Sequence, residues 1–170
     1  MSDVFMKLLL DTNVWLDYFL DRGESHGRTK ELLAEAFVRK DVVLYAASTT
    51  LKDVFYLIPL QLKRSLRAEG ITITESLSAA ATETAWSCLR VMLDVSQVVP
   101  MGRGEALQSI VYRSIHEDFE DNFIASAVRR ADADYLVTSD ERFCCHSLVA
   151  TVSVQEAIRL LEATRPKPFL

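Results

Sequence analysis

The sequence predicts an α/β fold of three layers, in which a central parallel sheet of four to five strands lies between helices. Short apolar runs of strand length alternate with longer amphipathic segments along the 170 residues, a pattern typical of parallel strands joined by helical crossovers. Hydrophobic residues make up 49% of the chain and charged residues 25%, which is a globular composition and not a disordered one. The length suits one core, so we expect residues 1–170 to form a single domain.

The first strand is predicted over residues 6–11, where three consecutive leucines form an apolar run. A helix should follow from Asn13 to Leu20, with Thr12 or Asn13 as its cap, because short polar side chains accept hydrogen bonds from the first free amide groups of a helix. Apolar residues at helical spacing then predict a second helix over residues 24–39. The next apolar run, Val42 to Ala46, predicts the second strand.

Two long helices are predicted in the middle of the chain. The first covers residues 48–66, and Pro59 within it predicts a kink or a break near Ile58, because proline lacks the amide hydrogen that a helix interior needs. The second covers residues 75–93 and is rich in alanine. Residues 95–99 then predict the third strand.

The last third of the chain continues the alternation of helices and strands. We predict helices over residues 105–115, 118–131 and 154–163, strands at 135–138 and 149–152, and a short helical turn at 140–144. If the strands are parallel, their carboxyl ends meet at one edge of the sheet, where open α/β folds place their active sites.

Acidic residues stand where these apolar runs end or where helices begin. Asp11 closes the first strand, Asp140 follows the fourth, and Asp53 lies early in the helix after the second. Asp118 and Asp121 are three residues apart in a first helical turn and therefore share a face. Two carboxylates about 4 Å apart repel by roughly 4 kcal/mol at an effective dielectric near 20, so gathering them favours a site for a divalent cation. Each acid alone also has a structural interpretation, as a helix cap, a first-turn charge or a surface residue.

Net charge and cysteine content leave the substrate open. A formal net charge of −5 argues against broad, non-specific binding of phosphate backbones, although a site that binds cations supplies its own positive charge. Cys88, Cys144 and Cys145 form no disulfide framework or zinc spacing, which predicts a reducing cytoplasm. The first ten residues predict neither a signal peptide nor a membrane span.

Three segments resemble the motifs of PIN-domain ribonucleases. Residues 10–17, Leu-Asp-Thr-Asn-Val-Trp-Leu-Asp, are similar to the opening motif of that family, in the toxin-like branch that continues with a tyrosine and an arginine, here Tyr18 and Arg22. Residues 118–125 are similar to the central acidic motif, and residues 133–140 to the last one. The resemblance spans nearly the whole chain. It implies a Rossmann-like PIN fold, cleavage of single-stranded RNA and dependence on one or two Mg²⁺ or Mn²⁺ ions.

The resemblance, carried over residue by residue, implies a set of site residues. Asp11, Asp121 and Asp140 fall on the metal-site acids of the family, with Asp118 as an additional ligand. Asp53 falls where most members carry glutamate, and its shorter side chain implies a water between it and the metal. Residues expected to support this site or contact the substrate are Asn13, Thr138, Ser139 and Arg22.

Several function classes remain open at this point. Many bacterial PIN proteins are toxins of toxin–antitoxin pairs, so the resemblance implies a small antitoxin protein as partner, with a homodimer as a further expectation. The alternatives are an RNA-processing nuclease outside such pairs and a non-catalytic PIN-like interaction module whose acids only cap helices. A haloacid-dehalogenase-type phosphatase is disfavoured because its second aspartate would stand at Asn13. A dinucleotide-binding dehydrogenase lacks the glycine-rich turn after the first strand.

Other polar and aromatic residues have weaker interpretations. His116 precedes the central acidic motif and is expected to be a solvated loop residue rather than a proton relay. Zinc binding by Cys144-Cys145-His146 is disfavoured, because adjacent ligands chelate one ion poorly. Tyr56 or Trp15 is a candidate for stacking a base, although Trp15 is most simply a core residue. A basic side of the third helix is expected from Lys52, Lys63, Arg64 and Arg67.

Overall fold

The computed structural model describes residues 6–21, 24–140 and 148–164. In that part of the chain the strands are β1 (Met6–Leu10), β2 (Val42–Ala47), β3 (Gln97–Val99), β4 (Tyr135–Thr138) and β5 (Thr151–Ser153). The helices are α1 (Thr12–Phe19), α2 (Glu24–Val38), α3 (Ser48–Ala68), α4 (Glu75–Val95), α5 (Arg103–Tyr112), α6 (Phe119–Ala131) and α7 (Val154–Ala163). Three predictions lie outside the described residues: the place of Arg22, the helical turn after Asp140, and the triplet Cys144-Cys145-His146.

The five strands form one sheet in the order β3-β2-β1-β4-β5, and each neighbouring pair is parallel. At the centre of the sheet, Leu8 of β1 is in register with Leu44 on one side and with Tyr135 on the other. The chain moves outward from β1 to β3 and then crosses to the other side for β4 and β5. Strand order therefore reverses between β1 and β4, and the crevice beyond their carboxyl ends is where such sheets bind ligands.

Side chains of β1 alternate between two apolar layers. Leu8 and Leu10 belong to a core formed with helices α1, α2, α3, α4 and α7. Leu9 points to the opposite face and belongs to a smaller core with Leu136 and with Ile124 of α6. A sheet with helices on both faces needs strands that are apolar on both sides, which is why β1 is a continuous run of leucines. The predicted three-layer α/β fold is confirmed.

Helix α1 begins one residue earlier than predicted and has a different cap. Asp11 is its N-cap, and the Asp11 carboxylate accepts a hydrogen bond from the backbone amide of Thr12. The prediction of Thr12 or Asn13 as the cap was wrong. Thr12 is already helical, and Asp11 is the last residue before it with an extended backbone. Asp11 therefore lies directly between a buried strand and a helix.

Pro59 does not break the third helix. Helix α3 runs without interruption from Ser48 to Ala68. Its residues Val54 and Ile58, in the turns that lead to the proline, are completely buried. A proline in a helix interior costs about 3 kcal/mol, and the packing of a long apolar face against the core and α4 outweighs that cost. The predicted start of the third strand was also early, because Val95 is the last residue of α4.

Among the described helices, none combines the length and the apolar character that crossing a bilayer requires.

Candidate functional site

Asp11 lies at the carboxyl end of β1, where its carboxylate contacts both neighbouring elements. One oxygen, Oδ1, accepts a hydrogen bond from the Thr12 amide at 2.7 Å, and Oδ2 accepts one from the Thr138 hydroxyl at 2.8 Å. Burial raises the pKa of Asp11 to about 6, because desolvation disfavours the charged form more than these two hydrogen bonds favour it. The negative charges of Asp121 and Glu120 contribute in the same direction. Asp11 is therefore held in a place that disfavours its ionised form.

The first turn of α6 presents its acids to the same edge of the sheet. Because α6 leads into the amino end of β4, its own N-terminus lies near the carboxyl ends of the strands. Asp118 is the N-cap, and its Oδ1 accepts hydrogen bonds from the amides of Glu120 and Asp121 at 2.8 and 3.2 Å. Helix capping thus accounts for one oxygen of Asp118.

Asp121 is half-buried beyond that cap and interacts with groups from other elements. Burial is the main cause that raises its pKa, a hydrogen bond with His116 opposes it, and the charges of Asp118 and Asp140 raise it further. The atoms Nε2 of His116 and Oδ2 of Asp121 are 2.8 Å apart. His116 is thus half-buried against an acid, and the expectation of a solvated loop residue was wrong.

Glu120 joins Asp53 to the other acids and was assigned no role from the sequence. Burial raises the pKa of Glu120, and the charges of Asp53, Asp118 and Asp121 add to this effect. Asp53 itself forms an ion pair with Lys52, whose Nζ is 2.9 Å from Asp53 Oδ1. In the sequence, Glu120 lies between the candidate acids Asp118 and Asp121, and this position was the signal that could have identified it. Helical spacing alone does not show which way the Glu120 side chain faces.

Thr138 connects Asp11 to the last acidic motif. Its hydroxyl donates to Asp11 and accepts a hydrogen bond from the backbone amide of Asp140 at 3.1 Å. The Ser139 hydroxyl instead donates to Asp17 Oδ2 at 2.8 Å, and Asp17 is buried. Asn13 is exposed and makes no side-chain hydrogen bond with the described part of the chain. Thr138 is therefore the predicted supporting residue with the most direct connection to the site.

A polar cavity of about 360 Å³ opens beside Thr138 and Ser139. Its other polar lining comes from the start of α2 and from the residues that begin α7, namely Ser25, Arg28, Ser153 and Gln155. Hydroxyl, amide and guanidinium groups are the donors that phosphate and sugar oxygens accept from.

We refer to Asp11, Asp53, Glu120, Asp121 and Asp140 as the acidic edge. These acids come from β1, α3, α6 and the end of β4, and electrostatic repulsion links them. Within residues 6–21, 24–140 and 148–164, no group of three or more Asp, Glu, His or Cys side chains is arranged to bind a metal ion as it stands. The donor chemistry nevertheless fits a hard divalent cation, which takes carboxylate oxygens, and such an ion would offset the repulsion that raises the pKa of Asp11, Glu120 and Asp121.

The sequence of residues 7–142 matches the family model described as PIN domain. The chain belongs to the PIN-domain family. Its fold is also similar to solved structures that cover most of the chain. One is VapBC2 from Rickettsia felis, bound to a DNA fragment from its promoter, with a TM-score of 0.59, 18% identity, and coverage of 87% of this chain and 98% of that one.

Two further structures are similar at low sequence identity. Mycobacterium tuberculosis VapC20, a toxin that cleaves the sarcin–ricin loop, has a TM-score of 0.61 and 15% identity, with coverage of 84% of this chain and 96% of that one. PAE2754 from Pyrobaculum aerophilum has a TM-score of 0.57 and 17% identity, with coverage of 96% and 94%. The chain has no match among curated protein sequences. These similarities agree with the PIN fold and do not by themselves identify a substrate.

Proposed function

We propose that this PIN-domain protein is a metal-dependent endoribonuclease that hydrolyses phosphodiester bonds in single-stranded RNA, as the toxin of a toxin–antitoxin pair. The observation that supports the proposal best is the acidic edge. Acids that are distant in sequence face one another at the carboxyl ends of parallel strands, and burial with mutual repulsion raises the pKa of Asp11, Glu120 and Asp121. A divalent cation bound among these acids would offset their mutual repulsion.

Asp11, Asp121 and Asp140 are the proposed metal ligands, with Asp118 as an additional one. A bound Mg²⁺ or Mn²⁺ ion would lower the pKa of a coordinated water and stabilise charge on the leaving oxygen. The chain's own contribution is to hold the oxygen ligands. Thr138 orients Oδ2 of Asp11 and the backbone of Asp140, and the Thr12 amide orients Oδ1 of Asp11.

Asp53 is proposed to support the metal site without binding the ion directly. The glutamate that most family members carry here would extend one methylene further, so we place a water between Asp53 and the metal. Lys52 lies against Asp53 and lowers the pKa of Glu120 through its charge. Lys52 therefore supplies positive charge to the acidic edge, and a metal ion would supply more.

RNA is the proposed substrate, and the surface of α3 supports it. Tyr56 is 67% exposed, beside the basic residues of the same helix, and is a suitable platform for a base. Trp15 is completely buried, so it is the core residue that the sequence favoured and not a stacking platform. The polar cavity beside Thr138 and Ser139 offers donors to a neighbouring phosphate or ribose.

The toxin role is proposed from the PIN fold together with its structural relatives. VapBC2 was solved bound to a DNA fragment from its promoter, and VapC20 is a sarcin–ricin loop cleaving toxin. The alternatives are an RNA-processing nuclease without an antitoxin and a non-catalytic PIN-like module. A neighbouring gene for a small protein that binds the chain and stops RNA cleavage would support the toxin role. The expected homodimer, the single domain and the cytoplasmic location stay predictions.

The decisive experiment compares RNA cleavage by the wild type and by Asp11→Asn with Mn²⁺ or Mg²⁺ present. We expect cleavage that EDTA abolishes and that Asp11→Asn reduces at least roughly a hundredfold, because metal stabilisation of transition-state charge amounts to several kcal/mol. Asp132→Asn is the matched control, since it removes the same charge from the opposite edge of the sheet and should leave cleavage unchanged. Equal cleavage by wild type and Asp11→Asn would refute the proposed site.

A further inference from the structure

The imidazole of His116 contacts Asp121 from outside the motifs that suggested the site. Nε2 of His116 lies 2.8 Å from Oδ2 of Asp121, and the two side chains are 23% and 33% exposed. An ionised carboxylate only accepts hydrogen bonds, so the hydrogen between them is carried by Nε2. Within the described residues, the other oxygen of Asp121, Oδ1, accepts no hydrogen bond.

The backbone of His116 is anchored to both flanking helices without help from the imidazole. Its amide donates to the Tyr112 carbonyl at the end of α5, at 3.0 Å. Its carbonyl accepts a hydrogen bond from Nδ2 of Asn122 at 2.7 Å, and Asn122, in the first turn of α6, is 1% exposed. Asn122 follows Asp121 directly, so one helical turn presents the acid and at the same time fixes the histidine that contacts it.

We infer that His116 is a positioning residue for the metal site, a role that rests on the function proposed above. Its hydrogen bond to Oδ2 selects one orientation of the Asp121 carboxylate and leaves Oδ1 available to a cation. A carboxylate that is already oriented loses less side-chain freedom when a metal binds. Outer groups that orient metal ligands commonly change metal affinity 10- to 100-fold when they are removed.

A purely structural role for His116 predicts a different outcome. In that case the residue only closes the turn between α5 and α6, and this closure depends on the backbone bonds to Tyr112 and Asn122. Removing the imidazole leaves those two bonds intact. The stability of the metal-free protein and its affinity for metal should therefore respond differently to substitutions of His116.

The test measures Mn²⁺ binding by titration calorimetry for the wild type, His116→Ala, His116→Gln and His26→Ala. We expect His116→Ala to weaken binding 10- to 100-fold. His116→Gln should stay within about threefold of wild type, because its amide nitrogen can donate to Oδ2. His26 is the matched control: its half-buried imidazole bonds the Asp17 carbonyl and touches none of the acidic edge. His116→Ala and His26→Ala each remove one half-buried imidazole hydrogen bond, so their metal-free melting temperatures should fall by similar, small amounts.

The outcomes separate this role from the proposed function. If Asp11→Asn loses Mn²⁺ binding while His116→Ala keeps the wild-type affinity, the positioning role is refuted and the metal site stands. Binding by His116→Gln that is as weak as that of His116→Ala also refutes it, and so does a large fall in the metal-free melting temperature of His116→Ala. A wild-type protein that binds no Mn²⁺ would overturn both proposals.

Discussion

Acids at the two edges of the same sheet are in opposite electrostatic situations. At the amino ends of the strands, Asp41 pairs with Arg39, and Asp132 pairs with Lys7 at 2.9 Å. These partners lower the pKa of both aspartates. At the carboxyl ends, Asp11 and Asp121 have raised pKa values, with burial as the main cause and other carboxylates as contributors.

The contrast distinguishes acids that pair with a cation and join elements of the fold from acids whose pKa is raised by burial and by one another. Asp134 at the amino edge accepts a hydrogen bond from the Lys7 amide at 2.7 Å and so ties β1 to the loop before β4. At the acidic edge, Lys52 forms an ion pair with Asp53, and His116 lies against Asp121. Acids whose pKa is raised in the folded state lower the stability of the metal-free protein at neutral pH, and such groups are concentrated at functional sites.

The largest predicted effect on stability is that of a substitution at the amino ends of the strands. The guanidinium of Arg39 is 7% exposed, makes two hydrogen bonds with Asp41, and donates to the carbonyls of Leu161 and Thr164. Arg39→Ala should lower the free energy of unfolding by about 3–5 kcal/mol, because it leaves Asp41 and two carbonyls without their partner. Urea unfolding of the metal-free protein measures this. A loss below about 1 kcal/mol would show that the ion pair between Arg39 and Asp41 does little to stabilise the fold.

Asp11→Asn should instead raise the free energy of unfolding at neutral pH. The pKa of Asp11 is about 6 in the folded protein and near 3.8 in the unfolded chain, so the folded state binds the proton more tightly. The stability that this proton binding contributes is complete below pH 3.8 and is lost as the pH rises through 6. Asparagine cannot ionise, so the variant should be more stable than wild type at pH 7.5, by on the order of 2 kcal/mol.

The measurement for Asp11→Asn is urea unfolding of metal-free protein at pH 7.5 and at pH 4. We expect the advantage of the variant to shrink at the lower pH, where the wild-type carboxyl is protonated in the folded state. The asparagine amide can still bond Thr12 and Thr138, so lost hydrogen bonds should not mask the effect. A variant that is less stable than wild type at both pH values would contradict the electrostatic account of the acidic edge.

The smallest predicted effect is that of Asp132→Asn. Asp132 is exposed and caps the end of α6 in a left-handed conformation, with φ of 50°, which asparagine also adopts readily. The substitution removes the exposed pair with Lys7, and such pairs contribute little. We expect the melting temperature to change by no more than about 2 °C. A larger fall, or a loss of RNA cleavage, would mean that the two edges are coupled.

Much of the fold was predictable because its signals are local. Three leucines in β1 and the apolar run in β2 indicate strands that are buried on both faces, and the parallel sheet follows from helices between them. Errors occurred where tertiary packing overrides a local preference. Pro59 lies inside α3 because the packing of that helix outweighs one lost hydrogen bond.

The acids were predictable as a set but not in their individual interactions. Strand ends and first turns identified Asp11 and Asp121 as candidates, while Glu120 went unassigned and His116 was placed in solvent. Both residues owe their environment to contacts between elements: Glu120 to the approach of α6 to Asp53, and His116 to the anchoring by Asn122. The spacing of residues along the sequence does not predict such distances between elements.

The sequence alone determined which segments become strands and helices and, through its motifs, the PIN family. It did so because apolar periodicity and capping act over a few neighbouring residues. Only the tertiary structure decided in which direction the pKa of each acid shifts, since burial and charge depend on groups that meet after folding. Asp11 and Asp41 are the same residue type beside strands of one sheet, yet their pKa values shift in opposite directions, because one is buried next to carboxylates and the other meets a guanidinium.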